Sequence, residues 1–100
     1  MAWYQLRKYI IRTGKMEQFL SAWRERIVPA REQHGFQVLE AYVEQDKSNF
    51  YWILRWDSEV AIAEGENKFL SSPEYQALNK DLGEFITAME TSTLESVPVR

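Results

Sequence analysis

The order of hydrophobic periodicities constrains this chain more than any other feature. A period-2 stretch comes first, then a period-3.6 stretch, two further period-2 stretches, a second helical region and a last extended segment. That order reads β-α-β-β-α-β and predicts an α+β fold, a four-stranded antiparallel sheet with a layer of helices on one face. The strands are apolar on both faces, whereas the helices can cover only one.

Residues 3–12, WYQLRKYIIR, are rich in aromatic and β-branched types and predict strand one, ended by Thr13-Gly14. A helix is expected over about 15–34. Met16, Phe19, Leu20, Trp23 and Ile27 recur on one helical face, and Arg24, Glu25, Arg31, Glu32 and Gln33 lie mostly off that stripe. Pro29 falls inside this span and predicts a kink or a break. Gly35 supplies the stop after His34. Strands two (36–44) and three (49–56) flank the polar turn Gln45-Asp46-Lys47-Ser48. Asp57-Ser58 is expected to cap a helical region over 58–70. Ser72-Pro73-Glu74 marks a further helix start, with a capping hydroxyl, a proline suited to the first position and an acid at the positive end. Residues 86–97 read as strand four.

A symmetric hairpin places Glu40 opposite Ile53 and Val38 opposite Arg55, and cross-strand partners share a face. Leu39, Ala41, Val43, Phe50, Trp52, Leu54 and Trp56 are then expected under the helices. Phe36, Val38, Glu40, Tyr42, Tyr51, Ile53 and Arg55 are expected on the other face, and a bulge would invert the assignment. In strand one, Leu6 and Ile10 fit the helix side. That leaves Trp3, Gln5, Arg7, Tyr9 and Ile11 on the mixed face and turns Lys8 unaccountably toward the helices. The mixed face is too apolar to stay wet, and the simplest remedy is a second copy, sheet against sheet.

The 100 residues suffice for a single domain with one core, and 45% hydrophobic residues with fourteen aromatics argue against disorder. There is no Cys, so disulfides and thiolate chemistry are excluded. A net charge of -3 argues against nucleic acid as a partner. That leaves an RRM-like single-strand binder, with aromatics on strands one and three, as a remote alternative. No run approaches a membrane span and no secretion signal opens the chain, so a cytoplasmic protein is expected.

Leu6-Arg7-x-Tyr9, Thr13-Gly14-Lys15-Met16-x-x-Phe19, Pro29, Gly35-Phe36 and Ser72-Pro73-Glu74-Tyr75, in that order along nearly the whole chain, resemble the NIPSNAP family. The resemblance implies a ferredoxin-like fold in which two protomers pack their sheets into a dimeric α/β barrel. Relatives in the wider group include cofactor-independent monooxygenases, haem-degrading enzymes, dehydratases and ligand-sensing modules, so fold alone does not choose a chemistry.

The only histidine, His34, has no second ligand at metal-site spacing, so no metal or other cofactor is expected from the sequence. The charged residues inside strands are Arg7, Glu40, Arg55 and Glu90. In the strand order four-one-three-two they could form a row across one face, Glu90-Arg7-Arg55-Glu40. The row reads as interstrand ion pairs inside the homodimer, or as a small-molecule site in which the guanidiniums hold a carboxylate or enolate. Trp3, Tyr9, Tyr42 and Tyr51 would line such a pocket or fill the dimer core. The expected function is a homodimer with a small-molecule pocket, between sheet and helices or inside the barrel. If it is an enzyme, its chemistry is cofactor-independent oxygenation or acid–base chemistry on an aromatic or acyl substrate, with Glu40 or a Tyr moving a proton. The alternative is a non-enzymatic dimerisation module.

Overall fold

A computed structural model describes residues 2–58 and 60–100. The elements are β1 (Ala2–Ile11), α1 (Met16–Ala22), a π-helical segment (Trp23–Ile27), α2 (Val28–Gln33), β2 (Phe36–Val43), β3 (Asn49–Asp57), α3 (Ile62–Leu70), α4 (Pro73–Phe85) and β4 (Ile86–Leu94). The strands form one antiparallel sheet in the order β2-β3-β1-β4. This is the expected ferredoxin-like α+β arrangement, with the helices on one face.

Pro29 does not end the first helical run, which continues through a π-helical segment into α2. A proline ring clashes with the carbonyl four residues back and offers no N–H. The turn ahead of it widens, and the Val28 N–H donates five residues back to the Trp23 carbonyl. The run then ends at Gly35, whose φ of +89° is the left-handed conformation that favours glycine. The helix expected over 58–70 begins only at Ile62, and residue 59 of that span lies outside the described residues. In the connection, the Ser58 hydroxyl accepts the Val60 N–H at 3.1 Å, and the Trp56 indole donates to the Val60 carbonyl at 2.8 Å. Ser72 caps α4 as expected, accepting the Tyr75 N–H at 3.2 Å.

The core is aromatic. Phe19, Phe36, Phe50, Trp52, Leu54 and Phe69 are fully buried between sheet and helices. Trp23 meets Phe50 and Trp52 edge-on at centroid distances of 5.0 and 5.6 Å. Gly65 of α3 lies against Trp56 so closely that a Cβ there would stand 2.6 Å from two ring carbons.

The register corrects the expected faces in two places. Near the turn, Glu40 pairs with Ile53 and Tyr42 with Tyr51 as expected. A bulge at Leu39 then shifts the pairing, so that Val38 faces Leu54 and Phe36 faces Trp56. Phe36 and Val38 therefore turn toward the helices, and Leu39 turns out. In β1 the assignment is inverted throughout. Gln5 pairs with Leu54, Arg7 with Trp52 and Tyr9 with Phe50, so Trp3, Gln5, Arg7, Tyr9 and Ile11 point under the helices. Tyr4, Leu6, Lys8 and Ile10 take the open face. Lys8, unaccountable before, lies there between Tyr51 and Glu90. The helices leave β4 largely uncovered, and Met89 on its inner face is 50% exposed.

Candidate functional site between sheet and helices

Inverting β1 separates the expected row of charges. Arg7 and Tyr9 are buried under the helices, while Glu40, Tyr42, Tyr51, Arg55 and Glu90 sit on the open face. Three of those on the open face find partners close by on their own strand or hairpin. Tyr42 donates to Glu40, Tyr51 donates to Glu44, and Arg55 pairs with Asp57 at 3.0 Å. The Glu40 and Glu44 carboxylates hold the Tyr42 and Tyr51 phenols above their ordinary range, protonated at neutral pH. A groove of about 290 Å³ crosses this face between Tyr4, Leu39, Ile53 and the segment after β4.

Under the helices, Arg7 meets residues absent from the expected site. Arg31 of α2 is 2% exposed and grips Glu66 of α3 with two bonds, Nη1 to Oε2 at 2.5 Å and Nη2 to Oε1 at 3.0 Å. Arg7 approaches the same carboxylate at 3.5 Å. It also donates from Nε to the Tyr9 hydroxyl at 3.0 Å and from Nη1 to the Gln5 side-chain Oε1 at 2.9 Å. Phe36 and Phe69 flank the Arg31 guanidinium, with ring centroids 4.8 and 4.1 Å from Cζ.

The electrostatics follow from this geometry. Burial opposes the charged form of Arg7, but the neighbouring Tyr9 and Glu66 outweigh it and raise its pKa above the ordinary arginine value. Burial likewise pushes Glu66 up, and Arg31, then Arg7, overcome it and hold the carboxyl below the usual range. Two guanidiniums thus share one carboxylate. Arg31 Nε and the indole nitrogens of Trp23 and Trp52 are buried and have no partner. Every one of these unmet groups is a donor.

A small, partly open cavity of about 20 Å³ lies beside this cluster, lined by Arg7, Tyr9, Arg31, Phe69, Tyr75 and Met89 among others. It shares Tyr75, Leu82 and Met89 with a surface groove of about 170 Å³ that runs between α4 and β4. His34, at the end of α2, lies 3.4 Å from Glu74 of α4. Among the described residues, no three His, Asp or Glu side chains gather as a metal site, and no helix is long and apolar enough to cross a membrane.

The overlooked residues carried a signal. Glu66 stands on the apolar stripe of α3, four residues after Ile62 and three before Phe69. Arg31 continues the four-residue ladder of Trp23 and Ile27. A charge on a buried stripe needs a buried partner, and these two provide it for each other.

The family model for NIPSNAP matches residues 4–99. Among solved structures, the chain is similar to a NIPSNAP family protein from Agrobacterium tumefaciens, at 22% identity over 100% of both chains and a TM-score of 0.83. It is also similar to an uncharacterised NIPSNAP domain protein from Burkholderia xenovorans, at 15% identity over 98% of this chain and 97% of that one, TM-score 0.83. A second Agrobacterium tumefaciens family protein, of unknown function, aligns at 13% identity over 99% and 91% with a TM-score of 0.85. At these identities the structural likenesses speak for the fold. No curated protein matches the chain.

Proposed function

This chain belongs to the NIPSNAP family, and from that premise we propose that it is a small-molecule-binding protein whose ligand pocket lies between the sheet and the helices. One observation carries the reading: the core holds a charged cluster, Arg7-Glu66-Arg31, with an unbalanced guanidinium and an unmet Arg31 donor beside a cavity. A core built for stability alone gains more from apolar packing than from such a cluster. If the pocket catalyses, Arg7 and Arg31 are the groups that stabilise negative charge on a bound oxygen, chemistry that needs no cofactor. Arg55, Glu40 and Glu90 lie on the opposite face and take no part in it.

The test is a fragment screen read by amide NMR shifts on the intact protein. Shifts gathered around Arg7, Arg31, Tyr75 and Met89 are expected. Shifts around Tyr4, Leu39 and Ile53 instead would move the pocket to the open face, inside a barrel.

The open face favours a second, compatible reading, a homodimer closed sheet to sheet. Ile10, Leu39 and Tyr42 are 40, 46 and 56% exposed there, with Tyr4, Leu6 and Ile53 between them and no helix above. This surface carries charges of both signs, Lys8 and Arg55 among Glu40 and Glu90, so a two-fold copy can set opposite charges against each other. A stable interface would bury at least ~1,200 Å² in total. Sedimentation equilibrium is expected to give twice the monomer mass at micromolar concentration, and a monomer there would remove this reading.

A further inference from the structure

We propose that the pocket takes a small monocarboxylate, its acid group held by Arg7 and Arg31 and its apolar body lying in the groove between α4 and β4. The inference deepens the pocket reading above and rests on it.

Charge comes first. Arg7 and Arg31 bring two positive charges to the core and Glu66 returns one. A single added negative charge balances the cluster; a phosphate dianion would overshoot it, and a cation would worsen it. Hydrogen bonding agrees. Arg31 Nε, in a residue 2% exposed that lines the cavity, awaits an acceptor. A carboxylate brings acceptors and no donor.

Shape supplies the rest. The inner cavity, about 20 Å³, has room for about one water-sized atom at the guanidiniums, enough for the leading oxygen of an acid group. Past Tyr75, Leu82 and Met89 it adjoins the 170 Å³ groove, which opens on the surface. The polar end of a ligand therefore goes in and the apolar end stays out. Both spaces fall short of the roughly 300–1,000 Å³ of a drug-sized site, which selects a short acyl acid or an acid on a single ring. The surroundings fit such a guest. Met89 presents a half-exposed apolar side chain on an uncovered strand, and Tyr75 and Leu82 of α4 line the wall opposite.

The experiment is calorimetric titration of the intact protein with benzoate and butyrate, and in parallel with benzamide and butyramide, which keep the shape and lose the charge. The acids are expected to bind and the amides to bind at least tenfold more weakly. Leu82→Trp, which fills the neck without touching the charges, is expected to weaken the acids at least tenfold. Equal binding of acids and amides would overturn the carboxylate assignment and leave the pocket standing. Acid binding untouched by Leu82→Trp would overturn the placement of the body in the groove. No binding by any of the four, together with no fragment shifts near Arg7, would overturn both.

Discussion

The two faces of this sheet carry similar numbers of large side chains but handle charge in opposite ways. On the open face the pairs are local, as Arg55 is held by Asp57 and Tyr42 by Glu40. Under the helices the partners come from different elements: β1 supplies Arg7, α2 Arg31 and α3 Glu66. Local pairs cost little to rearrange. The buried cluster is assembled only by the fold, and breaking it leaves a charge stranded in the core. Chemistry that depends on fixed geometry is therefore expected on the helix side, and association on the open side.

Adjacent residues of β3 give the sharpest test of that contrast. Trp52 is fully buried and is expected to lose about 4 kcal/mol as Trp52→Ala. That is most of the stability of a marginal 100-residue fold, so denaturant titration should find the variant largely unfolded. Glu66→Gln should follow at about 3 kcal/mol, because it leaves two buried guanidiniums without a counter-ion. Its pH dependence is a separate check. The Glu66 carboxyl titrates below its unfolded value, so its contribution is fully present above the ordinary carboxylate range near ~4.3. The contribution is lost as pH falls through the lower folded value, and the native protein and Glu66→Gln should converge there. A gap that persists at low pH would mean that Glu66 acts by packing rather than charge.

Gly65→Ala ranks next, at about 2 kcal/mol, because the new methyl meets the Trp56 ring. Thermal unfolding should show it, and an unchanged midpoint would mean that α3 can retreat from the sheet. Ile53→Asp, one residue from Trp52, has the smallest expected effect on the isolated protomer, under about 1 kcal/mol. It should nonetheless shift sedimentation toward monomer. A loss of folding as large as that of Trp52→Ala would erase the distinction between the faces.

The contrast also marks where sequence patterns carried information. The element order, the Gly35 stop, the Ser72-Pro73 start and the strand order follow from local chemistry, and local chemistry is what periodicity records. The faces of β1 do not, because both of its parities are apolar and the parity holding Gln5 and Arg7 looks the wetter. It is buried because Glu66, 59 residues onward, compensates Arg7. The bulge at Leu39 leaves no mark in composition and still inverts half of β2. Arg7 and Tyr9 could thus be singled out from strand chemistry, whereas Arg31 and Glu66 required noticing charges on apolar stripes. Their pairing is a long-range fact.

The widened turn at Trp23–Ile27 sets the angular phase of everything after it. An α-helix advances about 100° per residue. A turn that accommodates one residue more than its neighbours therefore re-clocks the α2 half of the rod against the α1 half. Arg31 lies beyond that adjustment and ends 2% exposed against Glu66, while Phe19 and Trp23 keep their own orientation in the aromatic core. The segment works as a vernier: single-residue insertions or deletions inside it would swing the guanidinium through a large arc with little change in rod length. Pro29, unable to donate the N–H of a regular turn, removes the reward for springing back to uniform α-helix.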